Sequence, residues 1–281
     1  MVWSKGKKAR FKKSLNQVRL NVILIIAIII MLLPLAMTLY NSFKSLNEYS
    51  KNMWFPSIPL HLYNYTEAWS KLSKYILNTV IVTVVGVVGM LIISSLAAYA
   101  IGKIKFKGSG FCYFLVLALM MLPGVLTLVP STMIYKTLHL DNTYWALIIP
   151  IWSNGCLMTV FLYTTFFRSL PNEIFEAAQI DGANEFQQYF KIALPLSAPT
   201  TGTCVIIQVV AVWNDYLWPK TIQSDTGMYT LPAGILYIYQ NYQNTTEMFA
   251  GYMIAAIPLL ILFIFANKYY IEGLIGSAIK M

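Results

Sequence analysis

Of the 281 residues, 58% are hydrophobic and only 11% charged, whereas soluble globular domains carry about 25% charged residues. That balance excludes an ordinary soluble fold and predicts an all-α, polytopic membrane protein. The net charge of +9, from 20 Lys and Arg against 11 Asp and Glu, would point to nucleic acid in a soluble protein, but the placement of the charges described below removes nucleic acid as a partner.

Residues 1–19 form a basic tail with Lys5, Lys7, Lys8, Arg10, Lys12, Lys13 and Arg19. The apolar run 20–40 that follows is too long for a signal-peptide core and lacks a small-x-small cleavage site, so it is predicted to be a retained first span. A loop, 41–75, carries Trp54, Tyr63, Tyr65 and Trp69, aromatics that suit a membrane boundary. Five further spans are predicted within 76–270: Ile76–Ile101, Cys112–Tyr135, Thr143–Phe166, Pro195–Leu217 and Met248–Tyr270. The third should break at Met120–Gly124 and again at Pro130, which a helix bundle tolerates when neighbours satisfy the freed backbone groups. Residues 271–281 form a C-terminal tail. Cys112, Cys156 and Cys204 each lie in an apolar run, which argues against disulfides and a metal site.

Orientation follows from the basic residues. Seven in the N-terminal tail, three in the turn Lys103–Lys107, Arg168, Lys191, Lys268 and Lys280 make fourteen on one side. The other side has Lys44, Lys51, Lys71, Lys74, Lys136 and Lys220. The positive-inside rule then predicts a plasma-membrane protein with both termini and the stretch 171–194 in the cytoplasm, its tail also able to meet anionic lipid.

The stretch 171–194 separates two spans with more chain than a tight hairpin needs, and its residues spell helix, turn, helix. Pro171 suits a helix start, Glu173 and Glu176 favour the first turns, and Gly182 after Asp181 suits a positive-φ helix end. Asn184 and Gln187 have capping-box spacing for a second helix over 185–193, and Pro195 marks the beginning of the next span. The chain carries no Gly-x4-Gly-Lys-Ser/Thr, His-Glu-x-x-His or Gly-x-Ser-x-Gly element, and no cofactor site of its own. Acidic residues are nearly absent from the spans, Asp215 being the exception, which argues against a carrier driven by ion coupling. Switching a two-state element fully takes about 5.5 kcal/mol, and here that energy must be imported.

Glu176-Ala177-Ala178, then Gly182, Ile192, Leu194 and Pro195 at their observed spacings resemble the EAA motif of ABC importer permeases. Ser94–Ala100, Gln179–Ala183, Trp213–Pro219, Thr230–Pro232 and the ending Tyr270 to Lys280 extend the resemblance to the carbohydrate-uptake branch, and to the smaller six-span permease of the maltose-transporter type. Met281 stands where that family often ends in Gly. The resemblance implies a non-enzymatic subunit that works with a second permease, two cytoplasmic ATPases holding ATP and Mg, and an extracytoplasmic solute-binding protein, to import a sugar, expected to be an oligosaccharide. It also implies that Glu176, Ala177, Ala178, Asp181, Gly182, Ile192, Leu194 and Pro195 couple the chain to the ATPase. A permease for another solute, such as a polyamine or an amino acid, is the alternative; a stand-alone secondary carrier is the weaker one. Aromatic faces and hydrogen-bonding side chains suited to a sugar nominate Trp152, Ser153, Asn154, Gln208, Trp213, Asn214 and Asp215 as a candidate substrate path.

Overall fold

The computed structural model describes residues 3–104, 106–242 and 244–278, with side chains described within 17–264. The described residues are helical with no strand. In chain order the helices are α1 (Trp3–Asn41), α2 (Leu46–Lys51), α3 (Tyr63–Tyr99), α4 (Ser109–Met120), α5 (Leu128–Thr137), α6 (Trp145–Pro150) and α7 (Cys156–Ser169). These are followed by α8 (Asn172–Ile180), α9 (Glu185–Gln188), α10 (Leu194–Leu196), α11 (Ala198–Asn214), α12 (Leu217–Ile222), α13 (Leu231–Tyr242) and α14 (Thr245–Ala278). Three π-helical segments, Ala100–Ile104, Ile151–Gly155 and Tyr189–Ala193, join α3 to its turn, α6 to α7, and α9 to α10.

Among the described residues four helices are long and apolar enough to span a membrane, and two bent pairs bring the number to six where each pair counts as one span. Ser109–Met120 and Gly124–Thr137 meet at 90°, and Glu185–Leu196 and Ala198–Asn214 at 70°. The expected break at Met120–Gly124 is there, but Pro130 does not break α5. It is the third residue of that helix, in the first turn, where a missing N–H costs nothing. The fifth span likewise turns at Ser197, beyond Pro195, with Pro199 in the first turn of α11. Helix α3 begins at Tyr63, inside the expected loop. Glu67, Lys71 and Lys74 lower the hydropathy of that stretch, yet Ala68 and Leu72 supply a buried face. Lys105, Lys280 and Met281 lie outside the described residues.

The chain divides into two compact units, Met1–Ser70 with Gln243–Ile254, and Lys71–Tyr242 with Ala255–Met281. In the first, the span Gln17–Asn41 exposes its apolar side chains throughout, as a helix facing lipid should. Beyond it the chain folds around Lys44, which is fully buried. Its ammonium donates to the carbonyls of Asn52 and Phe55, each at 2.7 Å, and lies 5.0 Å from the Tyr40 ring centroid. Hydrogen bonds are what a buried charge needs. Ser45 and Glu48 form a capping box on α2.

The second unit holds two apolar clusters. One gathers Val82, Val87, Met90, Leu147, Ile151 and Ile222. Gly86 and Gly89 let α3 approach the Ile151–Gly155 segment: a Cβ on Gly89 would fall 2.3 Å from Trp152 Nε1. The other cluster gathers Tyr99, Tyr163, Phe167, Phe175, Tyr189 and Ala193. Asn78 is paired across helices, as a bilayer favours for a buried polar group: its amide donates to Gly227 O and Tyr229 O at 2.9 Å and accepts from the Tyr144 hydroxyl at 2.8 Å.

Candidate functional site

Two regions bear chemistry. The first is 171–194, whose local structure follows its residues closely. Pro171 is the N-cap of α8. At its far end the Gly182 N–H bonds Gln179 O at 3.0 Å and the Ala183 N–H bonds Ala178 O at 2.9 Å, the paired closure that places a left-handed residue just past a helix. Gly182 supplies it with φ +83°. Asn184 and Gln187 then cap α9 reciprocally, at 2.9 and 3.1 Å.

Helix α8 is two-faced. Glu173, Glu176, Ala177 and Ile180 share one face by their spacing and all are exposed, Ile180 by 87%. Phe175 on the other face is 6% exposed, and burying a side chain of that size stabilises by about 1.5–3 kcal/mol. Lys103 holds the beginning of the stretch: its ammonium donates to Leu170 O at 2.8 Å and Asn172 Oδ1 at 3.0 Å and sits 4.6 Å above the Phe175 ring. Ala178, Ile192 and Leu194 are half-buried, while Asp181 and Pro195 are exposed. The sequence did not single out Phe175 or Lys103, because what they do depends on neighbours about 70 residues apart in the chain.

The second region is a cavity of about 690 Å³ between α3, α5, the Ile151–Gly155 segment, α11 and α12. Ser153, Asn154, Gln208 and Asp215 line it, together with Tyr135 and Trp218. Ser153 and Asn154 lie in the π turn Ile151–Gly155 and share the cavity wall with Gln208 of α11. Gln208 Oε1 comes within 2.8 Å of where a Gly155 Cβ would stand, so a methyl there would push the Gln208 amide aside. Asp215 Oδ1 accepts from the N–H groups of Leu217 (3.1 Å) and Trp218 (3.2 Å), capping the beginning of α12.

The other three nominated residues do not join them. Trp152 turns away, its indole N–H on Gly86 O at 3.1 Å and its ring edge-on to Trp145. Trp213 is buried against α13 and α14 and donates to Ala255 O at 3.2 Å. The Asn214 amide bonds back to Val210 O at 2.8 Å. Each satisfies a polar group in the helix bundle. Tyr135 and Trp218, which the sequence analysis passed over, stack edge-on at 5.4 Å and bring aromatic surface to the cavity. Among the described residues no cluster of His, Cys, Asp or Glu could hold a metal.

A multi-span helical membrane protein with a cavity lined in part by polar side chains and with an exposed helix beside it has the parts of a transport subunit. The family model for the inner-membrane component of binding-protein-dependent transport systems matches residues 90–274, and the chain belongs to that family. It is 33% identical over 275 residues to the probable ABC transporter permease protein YurM of Bacillus subtilis, covering 97% of this chain and 92% of that one. It is 33% identical to the arabinooligosaccharides transport system permease protein AraQ of Halalkalibacterium halodurans, over 88% of this chain and 90% of that one. It is 32% identical to the melibiose/raffinose/stachyose import permease protein MelC of Bacillus subtilis, over 88% and 91%. The fold matches that of a chain in the crystal structure of a bacterial ABC transporter involved in import of the acidic polysaccharide alginate, with a TM-score of 0.79, 22% identity, and coverage of 92% of this chain and 97% of that chain.

Proposed function

We propose that this multi-pass permease, paired with a second permease chain, forms the membrane path of a carbohydrate importer and that the stretch 171–194 receives the work of two cytoplasmic ATPases. An extracytoplasmic binding protein delivers the sugar, and both termini lie on the ATPase side. ATP and Mg belong to the ATPases.

The observation that carries the coupling role is the face of α8. A carboxylate, a small side chain and an exposed isoleucine are offered together on a helix whose other side is locked by Phe175 and Lys103. An apolar residue so exposed suits a partner surface, and Glu176 would meet a cation in a cleft of the ATPase. Membership of a binding-protein-dependent family and the named sugars of the relatives support the carbohydrate. The cavity's amides, hydroxyl, carboxylate and paired aromatics suit a polyol with apolar ring faces, and its volume falls within the roughly 300–1,000 Å³ of small-molecule sites.

Titrating the cognate binding protein with arabino- and galacto-oligosaccharides, then measuring uptake of the one that binds in proteoliposomes containing the complete importer, tests the substrate. Binding of a polyamine or an amino acid in place of every sugar would reject it. Glu176→Lys tests the coupling role: uptake should be lost with the chain still inserted. Normal uptake with normal ATPase stimulation would sink that role.

A further inference from the structure

Helix α3 reaches 171–194 from far away in the chain, and it does so along one face. Ser95 and Tyr99 follow at four-residue spacing, about one turn apart, and Lys103 stands beyond them in the π-helical segment Ala100–Ile104. Tyr189 OH lies 2.7 Å from Ser95 Oγ. Ser95 donates its own hydrogen to Leu91 O at 2.6 Å, which leaves Tyr189 as the donor. Tyr99 is 4% exposed, and its ring centroid lies 5.4 Å from that of Tyr189, 5.9 Å from Phe167 and 6.3 Å from Phe175. Its hydroxyl donates to Glu185 Oε2 at 3.2 Å. Tyr99 therefore touches α8 through Phe175, the second helical arm through Tyr189 and Glu185, and α7 through Phe167.

The corner itself is weakly constrained. Gly182 has open space around it, and the corner is closed by backbone hydrogen bonds and by the Gln188 amide, which donates to Ala183 O at 2.9 Å. The angle between the arms is set where a single ring contacts both. We infer that Tyr99 is a positioning residue that makes α8 and the second arm move as one body and ties that body to the second span as well as to the fifth, which follows it in the chain. This rests on the coupling role proposed above. Without the ring the arms hinge at Gly182, and motion at α8 reaches α11 without α3.

Spin labels at exposed Val88 on α3 and Val210 on α11, in the complete importer, read this directly in the nucleotide-free state and after trapping with Mg-ATP and vanadate. Wild type should hold the distance between the labels in both states. Tyr99→Leu should shift it by about 1–2 Å or more on trapping, the scale of helix shifts in switching proteins, while ATPases copurify and hydrolyse Mg-ATP at the basal rate. Tyr99→Phe keeps the rings and should behave as wild type. A wild-type distance that changes on trapping, or an assembled Tyr99→Leu complex with a constant one, overturns the inference. Should Tyr99→Leu fail to assemble, Phe175→Leu removes the ring through which Tyr99 meets α8 and should give a smaller shift of the same kind; a constant distance there also overturns it. Glu176→Lys separates the two ideas: if that variant transports normally the coupling role fails, whereas a constant distance in Tyr99→Leu with Glu176→Lys inactive condemns Tyr99 alone.

Discussion

Glu176 and Asp215 are the carboxylates on which the two candidate regions turn, and they are held in opposite ways. Glu176 stands exposed on a helix anchored from behind. Asp215 is half-buried, with one oxygen committed to two backbone N–H groups of α12. A group offered to a partner is left open on a rigid base, whereas a group lining a cavity inside a bundle must first satisfy the fold around it. Changes on the exposed face of α8 should therefore alter coupling and spare stability, and changes around the cavity should alter both.

The largest effect is expected from Glu176→Lys. Reversing a charge at a docked interface costs about 2–5 kcal/mol, so uptake should fall by about thirtyfold or more while the thermal unfolding of the isolated chain in detergent stays at the wild-type temperature. Equal losses in uptake and stability would erase the contrast. Gly89→Ala comes next. Its new methyl meets the Trp152 indole head-on, and overpacking of this kind costs about 1–3 kcal/mol. Because Ser153 and Asn154 follow Trp152 in the π segment, both the melting temperature and the sugar KM should change. Asp215→Ala should lower the melting temperature through loss of a helix cap, about 0.5–2 kcal/mol. Asp215→Asn keeps a side-chain oxygen for the cap and should restore stability; a raised KM in the Asn variant alone would assign the carboxylate to the sugar.

Gly182→Ala meets no neighbour and pays only for a left-handed backbone, about 1–2 kcal/mol, and Gly182→Asn should cost less, since asparagine tolerates that conformation. Uptake should follow the order Gly, Asn, Ala. A reference point outside both regions is Glu48, whose carboxyl is pulled below the usual carboxylate range, mainly by the Ser45 backbone N–H, with His61 Nε2 at 3.0 Å contributing. A depressed carboxyl pKa contributes stability that is present above the ordinary carboxylate pKa and lost as pH falls through the lower folded value. Hydrogen-exchange protection of the α2 amides should drop in that acid window, with protection in α8 unaffected by the same titration of Glu48.

How much was legible follows the range of the interactions. The Gly182 corner, the Asn184–Gln187 box and the bend at Met120–Gly124 are written within a few residues, and each appeared in place. Composition likewise carried the six spans and the helical class. The cavity was legible by halves: Asn154 and Gln208 were found because polar side chains in an apolar run must face something, but Trp152 and Trp213 were drawn into helix contacts that only packing decides. Helices α12 and α13 were missed because short helices between spans leave no apolar run of membrane length. Tyr99 gave no local sign of its position among Phe167, Phe175 and Tyr189.

The bend at Ser197 has a mechanical consequence. Its backbone N–H reaches both Ala193 O and Leu194 O at 3.1 Å, its hydroxyl donates to Leu194 O at 2.8 Å, and its own carbonyl accepts from the Thr201 N–H at 2.8 Å. A joint with its hydrogen bonds filled would turn as the elbow of a crank in preference to folding. The short arm, Glu185–Leu196, is twelve residues and so about 18 Å long, set at 70° to α11. Tilting such an arm by about 5° displaces its tip by about 1.6 Å, and because the elbow is oblique, a push on the arm would emerge at α11 partly as rotation about its own axis if the coupling role holds.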